Sequence, residues 1–370
     1  MKRLGQTILL RAIPPALALG AAMVLGLVIV AVAGHNPFAV MRNVVEAAQR
    51  SYGLRDDLAY VLLYATPLIF TGLSVAVAFR AGLFNIGGLG QVLIASLLCG
   101  YLGWKLASWP TVLAVPACIT IAALGGASWA AIAGALKAWR GSHEVIITIM
   151  LNFCAIAVTD SLANGPWKAQ GMTPQLPEIG ACAKLPRLGA HPPGTEGGAP
   201  AIGIPLFPGH VQLNASIFIA LLAAAGVWVL LFKTVRGYEL RAVGHNPEAA
   251  RAAGISVNRV TISAMAISGA LAGLAATDFV MGKNYNFRQD DGLGYARGAF
   301  IGIAVSLMGQ NHPVGIILAA ILFGAMERTG FLLGDVPKDI VMILQAAVIL
   351  FVISGNELFG RMLARKGATT

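Results

Sequence analysis

Charged residues are scarce in this sequence. Only 11% of its 370 residues are Asp, Glu, Lys or Arg, whereas 57% are hydrophobic. An average soluble domain has about 25% charged residues. So few charges cannot cover a surface that faces water, so the composition excludes an ordinary soluble protein. Several apolar runs of about 18 residues or more instead predict an all-α, polytopic membrane bundle.

Features of catalysis and redox chemistry are also lacking. Three of the four cysteines lie in apolar segments and Cys182 is alone in a polar loop, which favours neither a disulfide framework nor a paired metal-ligand spacing. The motifs HExxH and GxSxG are absent, and so is a Walker A phosphate loop. We therefore expect a non-enzyme without metal or cofactor. Any ATP hydrolysis on which this chain depends must therefore come from another polypeptide.

The net charge of +10 is not gathered into the basic runs that nucleic-acid binding would need. Membrane topology accounts for this excess better, because basic residues concentrate in short cytoplasmic loops. They are denser in the segments that we predict to be cytoplasmic, so nucleic acid is not an expected partner.

The apolar segments predict one transmembrane domain of about ten spans, with both termini in the cytoplasm. These segments are residues 12–33, 58–79, 92–107, 112–136, 143–163, 213–232, 260–282, 297–308, 314–326 and 339–353. The region 297–326 is short for two full crossings and favours a hairpin or broken helices, ending at Glu327 and Arg328 before a turn over residues 330–338. The glycine-rich segment 80–91 predicts a broken or re-entrant helix.

Polar side chains within the apolar segments are candidates for a solute path. Phe84, Asn85 and Gln91 lie in the glycine-rich segment, and unwound backbone at membrane depth is tolerated only in a protein interior or beside a water-filled cavity. Thr148 and Asn152 are four residues apart and therefore share a helix face. Such groups either contact a polar solute or bind helices to each other, and the sequence leaves both roles open.

A polar island, residues 233–259, separates two apolar segments. Asn246 is a good N-cap, Pro247 suits the first helical position, and Gly254 is a natural stop, so a helix of about two turns is predicted between them. Glu248 favours the helix start and can pair with Arg251 three residues on. A helix this short is marginal in water, so we expect it to dock on a partner surface.

The stretch GYELRAVGHNPEAARAAGIS, residues 237–256, resembles the coupling loop of ABC importer permeases. Residues 79–91, 144–152 and 315–324 match in the same order, and the likeness extends from about Tyr60 to Val352. It is strongest to the nucleoside and simple-sugar branch, which is related to ribose and branched-chain amino acid permeases. The resemblance implies that an ABC ATPase couples to Glu239, Leu240, Arg241, Gly244, Asn246, Pro247, Glu248, Arg251 and Gly254.

The resemblance further implies a bacterial inner-membrane protein that works with a second, related permease as a heterodimer. A solute-binding protein would meet the external loop, residues 164–212. A nucleoside is the favoured solute and a simple sugar the alternative. An ion-coupled secondary transporter would need carboxylates or histidines near the membrane midplane. The sequence instead places Glu144, Asp160 and Asp278 near the ends of spans.

Overall fold

The computed structural model describes residues 53–189, 202–204, 207, 209–289 and 292–332, together with isolated positions nearer both ends. The predicted first and last spans, residues 12–33 and 339–353, lie outside the described residues except for a few such positions.

Most of the described residues are helical, as predicted, and none of them lies in a named β-strand. Residues 277–284 form a π-helix, Thr277–Asn284, and residues 181–183 a short 3₁₀ turn. The α-helices are α1 (Leu54–Arg80), α2 (Gly88–Lys105), α3 (Thr111–Arg140), α4 (Glu144–Asn164), α5 (Ser216–Lys233), α6 (Val235–His245), α7 (Pro247–Ala252), α8 (Val257–Gly273), α9 (Gly292–Met308) and α10 (Pro313–Leu332).

Six helical segments of the described chain are long and apolar enough to cross a membrane. They are Arg55–Arg80, Thr111–Arg140, Glu144–Asn164, Ser216–Lys233, Val257–Asn284 and Pro313–Gly330. A multi-pass membrane protein is therefore confirmed, whereas the expected count of about ten spans is not. Helix α2 is not among the six, and most of its residues are buried by neighbouring helices.

Helices α3 and α8 approach each other closely through small residues. A Cβ atom at Gly126 would collide with the carbonyl oxygen of Gly269 and would lie 2.9 Å from Cα of Gly273. The spacing of Gly269 and Gly273 predicts a close-packing face on α8, and this contact confirms it. Ser268, beside Gly269, is thereby held inside the bundle, with its side chain fully buried.

Helix α10 is longer than the sequence predicts. It continues beyond Glu327 and Arg328 to Leu332 and is long enough to span a membrane. The expectation that the polar pair ends the segment was wrong. A long-range contact explains this, because Nε of Arg328 lies 2.9 Å from Oδ1 of Asp57 and its charge is therefore compensated inside the structure.

The chain divides into two compact units. The larger unit, Leu58–Leu322, contains α2 to α9 and every feature of the functional site below. The smaller unit combines Met1–Asp57 with Phe323–Thr370, and the Arg328–Asp57 ion pair belongs to it.

The described part of residues 165–212 is ordered without α-helix. Its backbone bonds along the π-helix and the residues that follow it, for example from N–H of Leu185 to the carbonyl of Met281 at 2.9 Å. Beside this contact, the buried carboxylate of Asp278 pairs with Nζ of Lys283 at 2.5 Å and accepts a hydrogen bond from Oγ of Ser216 at 3.0 Å. Glu144, at the other end of the bundle, pairs with Nζ of Lys137 at 2.6 Å.

Candidate functional site

The polar island forms two helices: α6, which we call the arm, and the separate short helix α7. Helix α5 ends at Lys233, and Oγ1 of Thr234 accepts a hydrogen bond from N–H of Gly237 at 3.1 Å, which caps α6. A Cβ at Gly237 would collide with the carbonyl oxygen of Leu230, so only glycine lets α6 turn back this tightly on α5. Helix α6 was not predicted, although the threonine cap is a local signal for it.

Helix α7 was predicted almost to the residue. Oδ1 of Asn246 accepts hydrogen bonds from N–H of Glu248 at 2.9 Å and of Ala249 at 3.1 Å, and Pro247 opens the helix. Gly254 follows with φ of +83°, a conformation that glycine adopts at little cost. The expected ends of the helix are therefore confirmed.

The outer face of α7 has no partner within the described residues. Ala250 is buried, whereas Glu248 and Arg251 are exposed, and the expected ion pair between these two is not formed. Glu239 on α6 is half-buried and likewise makes no ion pair within the described chain, while Leu240 beside it is 2% exposed and anchors the arm. The charges of this surface are thus available to a second protein.

The arm touches the bundle through a contact between two glycine backbones. A Cβ at Gly244, near the end of α6, would collide with the carbonyl oxygen of Arg80 and would lie 2.8 Å from N of Gly82. Gly82 has φ of +71° and is the second residue after α1. The arm therefore rests directly on residues 81–87, which separate α1 from α2.

Residues 81–87 carry the first part of a buried polar cluster. Nδ2 of Asn85 donates to Oγ of Ser268 at 2.8 Å and to Oε1 of Gln91 at 3.0 Å, and Nε2 of Gln91 donates to Oδ1 of Asn85 at 2.9 Å. Oγ of Ser268 in turn donates to the carbonyl oxygen of Ser74 at 2.7 Å. The cluster joins α1, α2 and α8 around residues 81–87, the non-helical segment that we call the break.

Asn152 on α4 bonds to the same region from another side. Its Oδ1 accepts from N–H of Gly90 at 2.8 Å, and its Nδ2 donates to the carbonyl oxygen of Ile86 at 3.0 Å. Thr148 is also buried, and a Cβ at Gly87 would lie 3.1 Å from its Cβ. Its hydroxyl donates only to its own helix, to the carbonyl oxygen of Val145 at 3.0 Å.

The structure thus brings together four of the five predicted path residues: Asn85, Gln91, Thr148 and Asn152. Phe84 is half-buried beside them, edge-on to Phe79 with 5.0 Å between ring centroids. The side-chain amides of Asn85, Gln91 and Asn152 all hydrogen-bond to protein groups in this conformation. The structure is therefore compatible with both roles, contact with a solute and attachment of one helix to another. Sequence reasoning missed Ser74 and Ser268, since isolated serines in apolar helices give no signal of a contact 194 residues apart.

The cluster lies well inside the bundle. Asn152 is eight residues from the start of α4, or about 12 Å at 1.5 Å per residue, and Ser268 is eleven residues from the start of α8, or about 16 Å. Both helices start at the end of the bundle where the arm packs. The hydrocarbon core of a membrane is about 30 Å thick. Measured from the end where the arm packs, these distances place the cluster about halfway through such a core.

A family model described as "Branched-chain amino acid transport system / permease component" matches residues 58–353. This match covers the arm, α7, the break and all members of the polar cluster. The chain belongs to this permease family. It is therefore a membrane transport subunit rather than an enzyme.

Three similar proteins are themselves described as ABC transporter permeases. The guanosine permease NupP of Bacillus subtilis is 35% identical, over 85% of this chain and 88% of its own length. The glucose permease TsgB13 of Haloferax volcanii is 34% identical, over 86% and 80% respectively. The nucleoside permease NupB of Lactococcus lactis is 32% identical, over 91% and 89%. No solved structure matches the permease.

Proposed function

We propose that the permease is one membrane subunit of an ABC importer and moves a neutral nucleoside into the cell, driven by a separate ATPase subunit. The observation that carries this proposal is the arm. A capped helix with unpaired charges, α7, is joined through α6 to a backbone contact at the break that holds the polar cluster. A partner that moves α7 would therefore move the residues nearest the proposed path.

A neutral solute suits the buried groups. Glu144 and Asp278 are each paired with a lysine, at 2.6 and 2.5 Å. Asp160 is exposed near the end of α4, where it accepts a hydrogen bond from Nδ2 of Asn164 at 2.8 Å, so amides and hydroxyls are the groups beside the break. Such groups replace the water hydrogen bonds that a hydroxyl-rich solute loses on leaving water. The paired carboxylates also weigh against an ion-coupled mechanism, which needs a carboxylate that can change its state.

The path in this proposal runs beside Phe84, Asn85, Gln91, Thr148 and Asn152. Exchanging one hydrogen bond for another changes the free energy by only about 1 kcal/mol. The cluster can therefore be closed by its own bonds in one state and open toward the solute in another. Nucleotide binding by the ATPase would select between the two states, since a ligand shifts an equilibrium only by binding one state more tightly.

The remaining partners follow from the resemblance. A second, related permease would complete the pathway as a heterodimer, and a solute-binding protein would dock on the external loop, residues 164–212. The surface of α7 must then face the cytosol of a bacterial cell, with both chain termini on the same side of the inner membrane. A single cysteine at position 251 should react with an impermeant maleimide only after the cytosolic side is opened, and labelling from outside alone would refute this topology.

The function is tested in proteoliposomes that contain both permeases and the ATPase, with the solute-binding protein added outside. We expect uptake of labelled guanosine that requires hydrolysable ATP and stops with a non-hydrolysable analogue. Uptake of glucose but not of guanosine would favour the sugar alternative, which the likeness to TsgB13 supports. Guanosine uptake on a proton or sodium gradient without ATP would contradict an ABC importer.

A further inference from the structure

An open cavity of about 610 Å³ lies beside the coupling helix α7. Three elements form its walls: the end of α1, one face of α6, and the turn between α9 and α10. The polar side chains that line it are Arg80, Tyr238, Arg241, His245, Gln310 and Asn311. We call this cavity the arginine pocket.

Two guanidinium groups are fixed in the arginine pocket. Nε and Nη2 of Arg80 both donate to the carbonyl oxygen of Asn311 at 3.2 Å, and its Cζ lies 5.7 Å from the ring centroid of Phe232. Cζ of Arg241 lies 5.6 Å from the same ring, and its Nε donates to the carbonyl oxygen of Gly237 at 3.3 Å. Both arginines keep N–H donors that these bonds do not use.

No carboxylate of the described chain pairs with either arginine. Both side chains are half-buried, so each has lost part of its hydration, and the two like charges repel across one aromatic ring. Cation–π contact with the Phe232 ring offsets the lost hydration and the repulsion only in part, since such a contact contributes about 0.5–1 kcal/mol at an exposed site. Positive charge held in this way is complementary to an anion, and a guanidinium fork matches the two oxygens of a carboxylate.

The position of the arginine pocket indicates where the anion comes from. Gly244 and His245 line it, and the next residue, Asn246, is the cap of α7. A protein that covers α7 therefore lies next to the pocket. We propose that the arginine pocket receives a carboxylate side chain of the ATPase subunit, held between the guanidinium groups of Arg80 and Arg241.

This inference rests on the proposed function and adds a second attachment point to it. Arg80 directly precedes residues 81–87, whereas Arg241 lies on α6. A carboxylate bound to both would tie the ATPase to the arm and to the break at once. Neither Arg80 nor the turn at Gln310 and Asn311 belongs to the polar island that the sequence indicates as the coupling element.

The test measures binding of the purified ATPase subunit to the permease pair in nanodiscs made of zwitterionic lipid. We expect Arg241→Gln and Arg80→Gln each to weaken binding by about ten- to hundredfold, the usual effect of removing one partner of a hydrogen-bonded charge pair. The matched control is Arg140→Gln, because Arg140 is exposed in the last turn of α3 and lies outside both the pocket and the polar island. This control should bind as the unmodified protein does.

Charge exchange identifies the partner. Arg241→Glu should abolish binding, and replacing one acidic residue of the ATPase by arginine should restore it. If Arg80→Gln lowers the amount of folded permease through loss of its bonds to Asn311, Arg241→Gln still decides the question. Failure of every ATPase exchange to rescue Arg241→Glu would overturn the inference.

Two other outcomes would also overturn it. Unchanged ATPase affinity in both glutamine variants, with loss of binding to phosphatidylglycerol vesicles, would assign the pocket to a lipid headgroup. Unchanged affinity for both the ATPase and the phosphatidylglycerol vesicles would show that neither one supplies an anion to the pocket. In either case Gly244 variants that uncouple transport would still support the proposed function. If the unmodified permease pair binds no ATPase at all, the proposed function itself fails.

Discussion

Replacing Gly244 by alanine tests whether the arm transmits work to the break. In the interior of a helix, alanine is usually favoured over glycine by about 1 kcal/mol. Here the new methyl group would collide with the carbonyl oxygen of Arg80 and lie 2.8 Å from N of Gly82 and 2.9 Å from C of Ala81. All three are backbone atoms, which cannot turn aside as a flexible side chain can. The arm and the break must therefore move apart.

The displacement follows from the geometry. Bringing the 2.8 Å contact to the van der Waals optimum of ~3.5 Å needs a shift of about 0.7 Å. Overpacking of this kind costs about 1–3 kcal/mol, which the helix propensity of alanine offsets in part. The permease should therefore still fold. The strain falls on one contact, so it can differ between the two transport states. A difference in strain energy of about 1–3 kcal/mol would change the ratio of the two states about 5- to 150-fold.

The assay compares guanosine uptake with ATP hydrolysis in the reconstituted transporter. We expect Gly244→Ala to lower the solute imported per ATP by about tenfold, with normal amounts of protein in the membrane. The matched control is Gly226→Ala, since Gly226 is a helical glycine of α5 around which no heavy atom lies within 4 Å of an added Cβ. Unchanged coupling in Gly244→Ala, with that variant folded, would refute the transmission route.

Other substitutions test the neighbouring features. Asn246→Ala removes the cap of α7 and should weaken ATPase binding with a helix-stability loss of about 1 kcal/mol; unchanged affinity would mean that this helix does not dock. Asn152→Leu should lower the melting temperature and uptake together, because two buried backbone groups lose partners at about 1–3 kcal/mol each; an unchanged melting temperature would contradict the hydrogen bonding described. Thr148→Val removes a hydroxyl that bonds only its own helix, so it should weaken uptake without destabilising the protein, and normal transport kinetics would exclude Thr148 from the path. Gly126→Ala should reduce the folded yield through collision with Gly269, whereas a normal yield would contradict the close helix packing.

Local chemistry allowed helix α7 to be predicted from the sequence. A cap at Asn246, a proline at the first position and a glycine stop at Gly254 act within one or two turns, so no distant contact is needed to place the ends of α7. The GxxxG face of α8 is local in the same sense. The broken segment was also expected, but its limits, residues 81–87, are narrower than the predicted range 80–91 because Gly88, Gly90 and Gln91 already belong to α2.

Distant partners explain what the sequence could not predict. Arg328 continues a helix that its charge would be expected to end, since Asp57 compensates it from 271 residues away. Ser268 joins the polar cluster through Ser74 and Asn85, and neither contact leaves a periodic pattern. Arg80 interrupts an apolar run without indicating that Arg241 shares its pocket. Residue type alone showed where polarity occurs, but only the packing shows which polar groups meet.

The contact between Gly82 and Gly244 is suited to transmission because it contains no side chain. A side-chain contact can absorb a small displacement by changing rotamer, whereas two backbones in contact are close-packed and must move together. Residues 81–87 lie outside the regular helices, so a push on Gly82 reaches Asn85 three residues later. There the hydrogen bonds to Gln91 and Ser268 can be exchanged at little cost in free energy. A displacement of less than 1 Å at α6 can therefore decide whether the buried amides bond to each other or to a solute, provided that the two arrangements are close in energy.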